Sequence, residues 1–126
     1  VTDSLHVILD ATAMVAAGAG NALASRLIHR AHAAPGWFLY APTCALVEAD
    51  RIRPGTAEHI AALPSIVVLD LDLPTALAIA RETTWAPAQI EYVAQPTPER
   101  PDGAVVATVA PESWKGSPVR VLDLNP

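Results

Sequence analysis

One cysteine, Cys44, is present, so no internal disulfide can form. That absence points to a reducing, cytoplasmic setting, and Cys44 itself reads as a small buried apolar residue. No apolar run approaches the roughly 18 residues that a membrane helix needs, so no membrane span is expected. The start also lacks a basic, apolar segment of export type. Positive charge is scarce: eight Lys and Arg stand against thirteen Asp and Glu, a net charge of −5. Phosphate-binding surfaces leave a basic footprint, so tight non-specific nucleic-acid binding is disfavoured. Arg26 with Arg30, and Arg51 with Arg53, are the only local basic pairs, and both read first as solvated helix faces.

Apolar residues are plentiful, at 52% of 126. That excludes a disordered chain. The length suits one domain, residues 1–126, with a core over about 5–124. Val7 to Leu9 is a short run of buried-strand type. A helix can start at Thr12 until "GAGN" interrupts it, and Asn21 can cap the next, where Leu23, Leu27, Ile28 and Ala31 recur at helical spacing. "PGW" ends that helix, and "WFLYA" is a short strand. Pro42 and Thr43 open a helix to about Arg53. Thr56 is placed to cap a short one that ends before Pro64. "SIVVLDL" (Ser65 to Leu71) is β-branched and continuous, hence a strand. Asp72 and Pro74 form a helix entrance, with Leu77, Ile79 and Ala80 inside the helix. A further helix is expected over Pro87–Ala94, then a loop over Gln95–Gly103. "AVVATV" and "VRVLDL" are strands flanking the loop "APESWKGSP". Continuous apolar strands alternating with helices predict an α/β fold: a short parallel sheet with helices on both faces.

Ligand sites in such sheets lie beyond the carboxyl ends of the strands. Asp10 closes the first strand and so points there, either as a helix N-cap or as a metal ligand. Glu48 sits at the border of an apolar helical arc made by Ala45, Leu46, Ala49 and Ile52. A carboxylate at a packed edge needs a partner, which could be a metal ion, an arginine or a backbone cap.

"VILDATAMVA", the acid in "YAPTCALVEADR", "IVVLDLD", "VVATVAPESW" and "VRVLDL", in this order, resemble the PIN domain over about Val7 to Leu124. Many PIN domains are Mg²⁺- or Mn²⁺-dependent ribonucleases, including toxins of bacterial toxin–antitoxin pairs, with a site of three or four acids. Crowded carboxylates repel unless a cation joins them, and Mg²⁺ can orient a water and neutralise phosphate charge. The resemblance implies that Asp10 and Glu48 are the first and second acids, catalytic and metal-binding. The third acid's position falls on Ala88 or Gln89. The fourth belongs to a Thr-x-Asp pattern, and here Thr108 is present with Ala110 where the acid would be. Glu91, Asp102 and Glu112 are the candidates for a third ligand.

Two of four acids matching implies a PIN-like domain with weakened or lost nuclease activity. It would act by binding a partner, either a small antitoxin-like protein or an RNA, and as a homo-oligomer. The alternative is an active Mg²⁺/Mn²⁺-dependent endoribonuclease, the toxin of such a pair. Other features read structurally first. His29 and His32, one helical turn apart, have no third ligand. "GAGN" lacks the full spacing of a nucleotide loop. Asp72 reads as an N-cap. Trp85 and Trp114 lie near the crevice mouth, where they could stack on a base, cover the core or form a dimer contact.

Overall fold

The apolar runs become five strands. The computed structural model describes residues 4–126. Strand β1 (Leu5–Leu9) is followed by helices α1 (Ala11–Gly18) and α2 (Ala22–Ala33), then β2 (Trp37–Pro42). Helices α3 (Thr43–Ile52) and α4 (Thr56–Ala61) lead to β3 (Ile66–Leu69), and α5 (Leu73–Ile79) and α6 (Trp85–Val93) lead to β4 (Val105–Thr108). A single 3₁₀ turn, Pro111–Trp114, precedes β5 (Arg120–Asp123). All pairings are parallel, in the order β3-β2-β1-β4-β5. The chain is an α/β domain with helices around a parallel sheet, as its strand–helix alternation predicts.

Strand side chains alternate between faces. Val7, Ile8 and Leu9 are consecutive and all buried, so β1 is covered on both sides. The same holds for Leu39 to Ala41 in β2 and for Val106 and Ala107 in β4. Met14, Ala45, Leu46, Ala49, Ile60 and Ile90 bring the helices onto this layer. Each fully buried Ile or Leu, such as Ile8, Leu9 and Leu39 of the central strands and Ile60 and Ile90 of the helices, contributes about 1.5–3 kcal/mol.

Local chemistry sets the helix ends. Asn21 Oδ1 accepts from the Ala24 N–H at 2.9 Å, capping α2. Asp72 Oδ1 accepts from both the N–H and the hydroxyl of Thr75, at 3.0 and 2.6 Å, capping α5. Those two bonds, the hydroxyl's first, hold the Asp72 carboxyl below its usual pKa. Helix α4 differs from expectation. Its cap is Gly55, not Thr56, at φ 93°. The orphan N–H groups of Gly55 and Ala57 are taken by Asp50 Oδ1, at 2.9 and 3.1 Å, while the Thr56 hydroxyl turns back to the Arg53 carbonyl.

Other boundaries also move. Only Ile66–Leu69 of "SIVVLDL" pairs, as an edge strand with Val67 and Val68 exposed. A continuous apolar run looks the same in a central strand and at an edge. Ile52, expected on the apolar arc of α3, is exposed, and Ala80, expected inside α5, is its C-cap, whereas Leu77 and Ile79 lie in the helix. Helix α6 begins at Trp85, two residues early, because Thr84 is already extended. The Gln95–Gly103 loop folds on itself through Thr97 and Arg100, which exchange backbone hydrogen bonds of 2.9 and 3.1 Å.

Gly103 ends that loop at φ 72°, and the Ala104 N–H bonds the Ala94 carbonyl at 2.9 Å. A Cβ on Gly103 would collide with that same carbonyl oxygen, whereas one on Gly116 (φ 85°) would meet nothing. Gly103→Ala should therefore lower the unfolding free energy in urea by about 2 kcal/mol or more, and Gly116→Ala by about 1 kcal/mol. Equal costs would contradict the placement of Gly103.

Beside β1 an aromatic stack forms. The His6 ring lies 4.9 Å from Phe38, its Nδ1 is 2.8 Å from the Tyr40 hydroxyl, and the Arg100 guanidinium sits 5.1 Å above the Tyr40 ring. Burial, and then the positive charge of Arg100, lower the pKa of His6. The unfolded chain therefore binds this proton more readily. The associated stability is fully present above the unfolded pKa of about 6.5 and is lost as pH falls through the lower native value. Urea unfolding between about pH 8 and pH 5 should show this loss, with a flatter profile in His6→Phe. An unchanged profile in the variant would contradict it.

Candidate functional site

The chain runs outward from β1 to β2 and β3, then returns to β4 on the other side of β1. The strand order reverses between β1 and β4, and a crevice at such a point takes ligands. Asp10 and Thr108 stand at the carboxyl ends of these two strands.

Asp10 is 5% exposed, and both of its carboxylate oxygens accept hydrogen bonds. Its N–H donates to the Ala107 carbonyl at 3.2 Å, extending the β1–β4 ladder. Oδ1 accepts from the Ala13 N–H at 2.8 Å and from the Thr12 hydroxyl at 2.7 Å. The first of these caps α1, where negative charge also favours the helix dipole. Oδ2 accepts from the indole Nε1–H of Trp114 at 3.0 Å, across 104 residues of chain. A carboxylate offers about four acceptor positions, and three are taken.

The bonds continue from there. Thr12 gives its only proton to Asp10, so the 3.0 Å contact between the Thr12 and Thr108 hydroxyls has Thr108 as donor. The Val109 N–H also donates to Thr12 at 3.2 Å, and the Ala110 N–H donates to the Thr108 hydroxyl at 2.9 Å. A directed chain thus runs from Ala110 through Thr108 and Thr12 to Asp10. Such chains strengthen as each donor polarises the next.

In front of this knot lies a cavity of about 700 Å³. Its walls include Asp10, Thr12 and Trp114, and on α3 the residues Cys44, Val47, Glu48 and Arg51. Leu71, Trp85, Pro87 and Ile90 close the far side. The lining is mainly apolar, and Trp85, 65% exposed, stands at the mouth. Burial pushes the Cys44 thiol above its usual pKa, which favours the neutral form. Cys44 is half-buried on this wall and not within the core.

Asp10 and Glu48 both line this one cavity. Glu48 is exposed, on the solvent side of the buried arc Ala45, Leu46 and Ala49. Glu91, Asp102 and Glu112 are absent from the cavity wall. Asp102 precedes the amino end of β4, and in a parallel sheet that is the opposite end from Asp10. Glu112 is exposed on the 3₁₀ turn and does not reach the cavity, which its neighbours Ser113 and Trp114 line. Among the described residues no group of three His, Cys, Asp or Glu is placed to hold a metal. The carboxylates of the cavity are two, one of them committed to three internal bonds. Mg²⁺ is commonly held by one or two carboxylates with waters and phosphate completing its octahedron, so such a set would hold it weakly, with Asp10 sharing its oxygens with three internal donors.

Gln89 has a structural role the sequence did not reveal. It is fully buried. Its Oε1 accepts from the Cys44 N–H at 2.9 Å, capping α3, where Pro42 has no polar side chain to do so. Its Nε2 donates to the Leu69 carbonyl at 3.3 Å and to the Thr43 hydroxyl at 3.4 Å. Gln89 thus ties α6 to α3 and to the end of β3. Its signal was legible in part, since Ala86, Gln89 and Ile90 share one helical face and all are buried. Trp114 as the partner of Asp10 left no local signal.

Together these features define a parallel α/β domain with an apolar cavity at its topological switch point. No family model, curated protein or solved structure matches the chain.

The Gln89 amide must both donate and accept, which a carboxylate cannot do. Gln89→Glu should cost about 1–3 kcal/mol at neutral pH and recover part of it in mild acid, where the protonated acid can donate. Urea unfolding at the two pH values checks this. A variant as stable as the parent at neutral pH would contradict the role.

Proposed function

We propose that this chain is a PIN-like domain whose metal-dependent nuclease chemistry is weakened or lost, and which acts by binding a protein partner at the switch-point cavity. The observation that carries the reading is the commitment of Asp10. Its carboxylate caps α1, receives Thr12 and anchors Trp114. That is the work of a strut. Where the PIN pattern would place two further acids stand Ala88 or Gln89, of which Gln89 is a structural amide, and Ala110, which offers only backbone groups.

The cavity wall favours a protein over an RNA. Val47, Leu71, Trp85 and Pro87 offer apolar surface to an inserted side chain. Asp10 and Glu48 outnumber Arg51 among the charged groups of this wall, and a net charge of −5 also disfavours phosphate. A small antitoxin-like protein is the kind of partner that the resemblance adds. Leu73 and Leu77, each 70% exposed and one turn apart on α5, support self-association as part of the same proposal. No helix among the described residues is long and apolar enough to cross a membrane. The proposal carries a cytoplasmic setting, which the single thiol fits.

A second reading, the Mg²⁺/Mn²⁺-dependent endoribonuclease, is favoured by one observation: Asp10 and Glu48 line the same cavity. Incubation of a mixed RNA pool with the protein and Mn²⁺ or Mg²⁺, beside Asp10→Ala, separates the two. The expected result is no metal-dependent cleavage above that of the variant. Cleavage by the parent that the variant loses would overturn the binding-only reading.

A further inference from the structure

Parallel strands are joined by crossovers that normally carry a helix, and that helix covers the sheet. Here the β4–β5 crossover carries only the four-residue 3₁₀ turn Pro111–Trp114, and its Trp114 is committed to Asp10. The sheet face over β5 receives no helix from it. The register shows the consequence: Leu9, Ala107 and Leu122 lie side by side across β1, β4 and β5 on one face. Leu9 and Ala107 are buried, whereas Leu122 is exposed.

An apolar groove of about 730 Å³ opens there. Leu23 and Leu27 of α2 form one side, with Trp37 in the wall, and Leu122 of β5 forms the other, where the Asp123 carboxylate is turned to Asn125, whose N–H and side-chain amide donate to it. It shares no lining residue with the switch-point cavity. The lip on the α2 side is basic. Arg26 and Arg30 are exposed one helical turn apart, with His29 between them, and α2 contains no acid. The Arg30 guanidinium already lies 5.2 Å above the Trp37 ring, turned toward the groove. This concentration of positive charge stands out on a chain whose net charge is −5.

We infer that this groove docks an amphipathic helix of a partner protein, with an apolar stripe against Leu23, Leu27 and Leu122 and acidic residues one turn apart facing Arg26 and Arg30. The docked helix occupies the position that the short crossover leaves uncovered. Helix-in-groove recognition of this kind reads apolar anchors at i, i+3, i+4 and i+7, and flanking charges set the partner and its orientation. A nucleic acid fits less well. The groove floor is apolar, and two arginines are too few for a phosphate-binding footprint.

Fluorescence anisotropy of labelled synthetic helices about four turns long tests this. One probe carries a leucine stripe flanked by glutamates, and a second carries the same stripe flanked by lysines. The acidic probe should bind, more weakly as salt rises. Its affinity should fall by about tenfold or more in Arg26→Glu/Arg30→Glu and persist in Arg26→Lys/Arg30→Lys. Both arginines are exposed, and circular dichroism verifies that the variants fold. Equal binding of the two probes, no binding of the acidic one, or an unchanged affinity in the charge-reversed variant would overturn the inference. Binding of a single-stranded RNA that the same reversal abolishes, without binding of the acidic probe, would assign the face to nucleic acid instead.

Discussion

The carboxylate of Asp10 holds the end of the central strand, the first turn of α1 and the crossover that follows β4. Three donors from two distant parts of the chain meet on it: the Ala13 N–H and the Thr12 hydroxyl of α1, and the Trp114 indole. Bonds to an ionised acceptor contribute about 1.5–3 kcal/mol each, against about 1 kcal/mol for neutral pairs. The crossover to β5 is too short to carry a packing helix, so its path depends on Trp114 being fixed at this point. The cavity inherits its back wall from the same bond, because Trp114 and Asp10 line it together.

A shared design links the two positions where the PIN-like pattern would lead one to expect further acids. Gln89 needs both a donor and an acceptor on one side chain, and uses them to join α6, α3 and β3. Ala110 contributes its backbone N–H to the hydroxyl chain that ends on Asp10. Neither position leaves a free carboxylate, and both stabilise the cavity walls. This is the physical support for proposing a binding module. An apolar cavity with rigid walls suits an inserted side chain, whereas metal chemistry needs carboxylate oxygens that are not already spent.

Local signals in the sequence carried much of the fold. The β-branched runs, the Asn21 and Asp72 caps and the "PGW" stop all act within a few residues, and all are realised. The parallel sheet follows from strand–helix alternation. Three things were not legible. Whether an apolar run is central or at an edge depends on which strands flank it, so the exposure of Val67 and Val68 could not be read from "SIVV". The Thr56 cap failed because its hydroxyl turns back to the Arg53 carbonyl, and Asp50, on the preceding helix, takes the N–H groups of Gly55 and Ala57 instead. As for the site, the position of Asp10 was readable from one strand, but its company was not. Trp114 arrives from 104 residues away, and nothing local marks it.

The claim that Asp10 is a strut rests on its coupling to Trp114. A double-mutant cycle on urea unfolding, with Asp10→Ala, Trp114→Phe and the pair, measures that coupling directly. The account predicts a coupling of about 1–3 kcal/mol, the range for a buried hydrogen bond to a charged group. Additive costs, within about 0.5 kcal/mol, would contradict it.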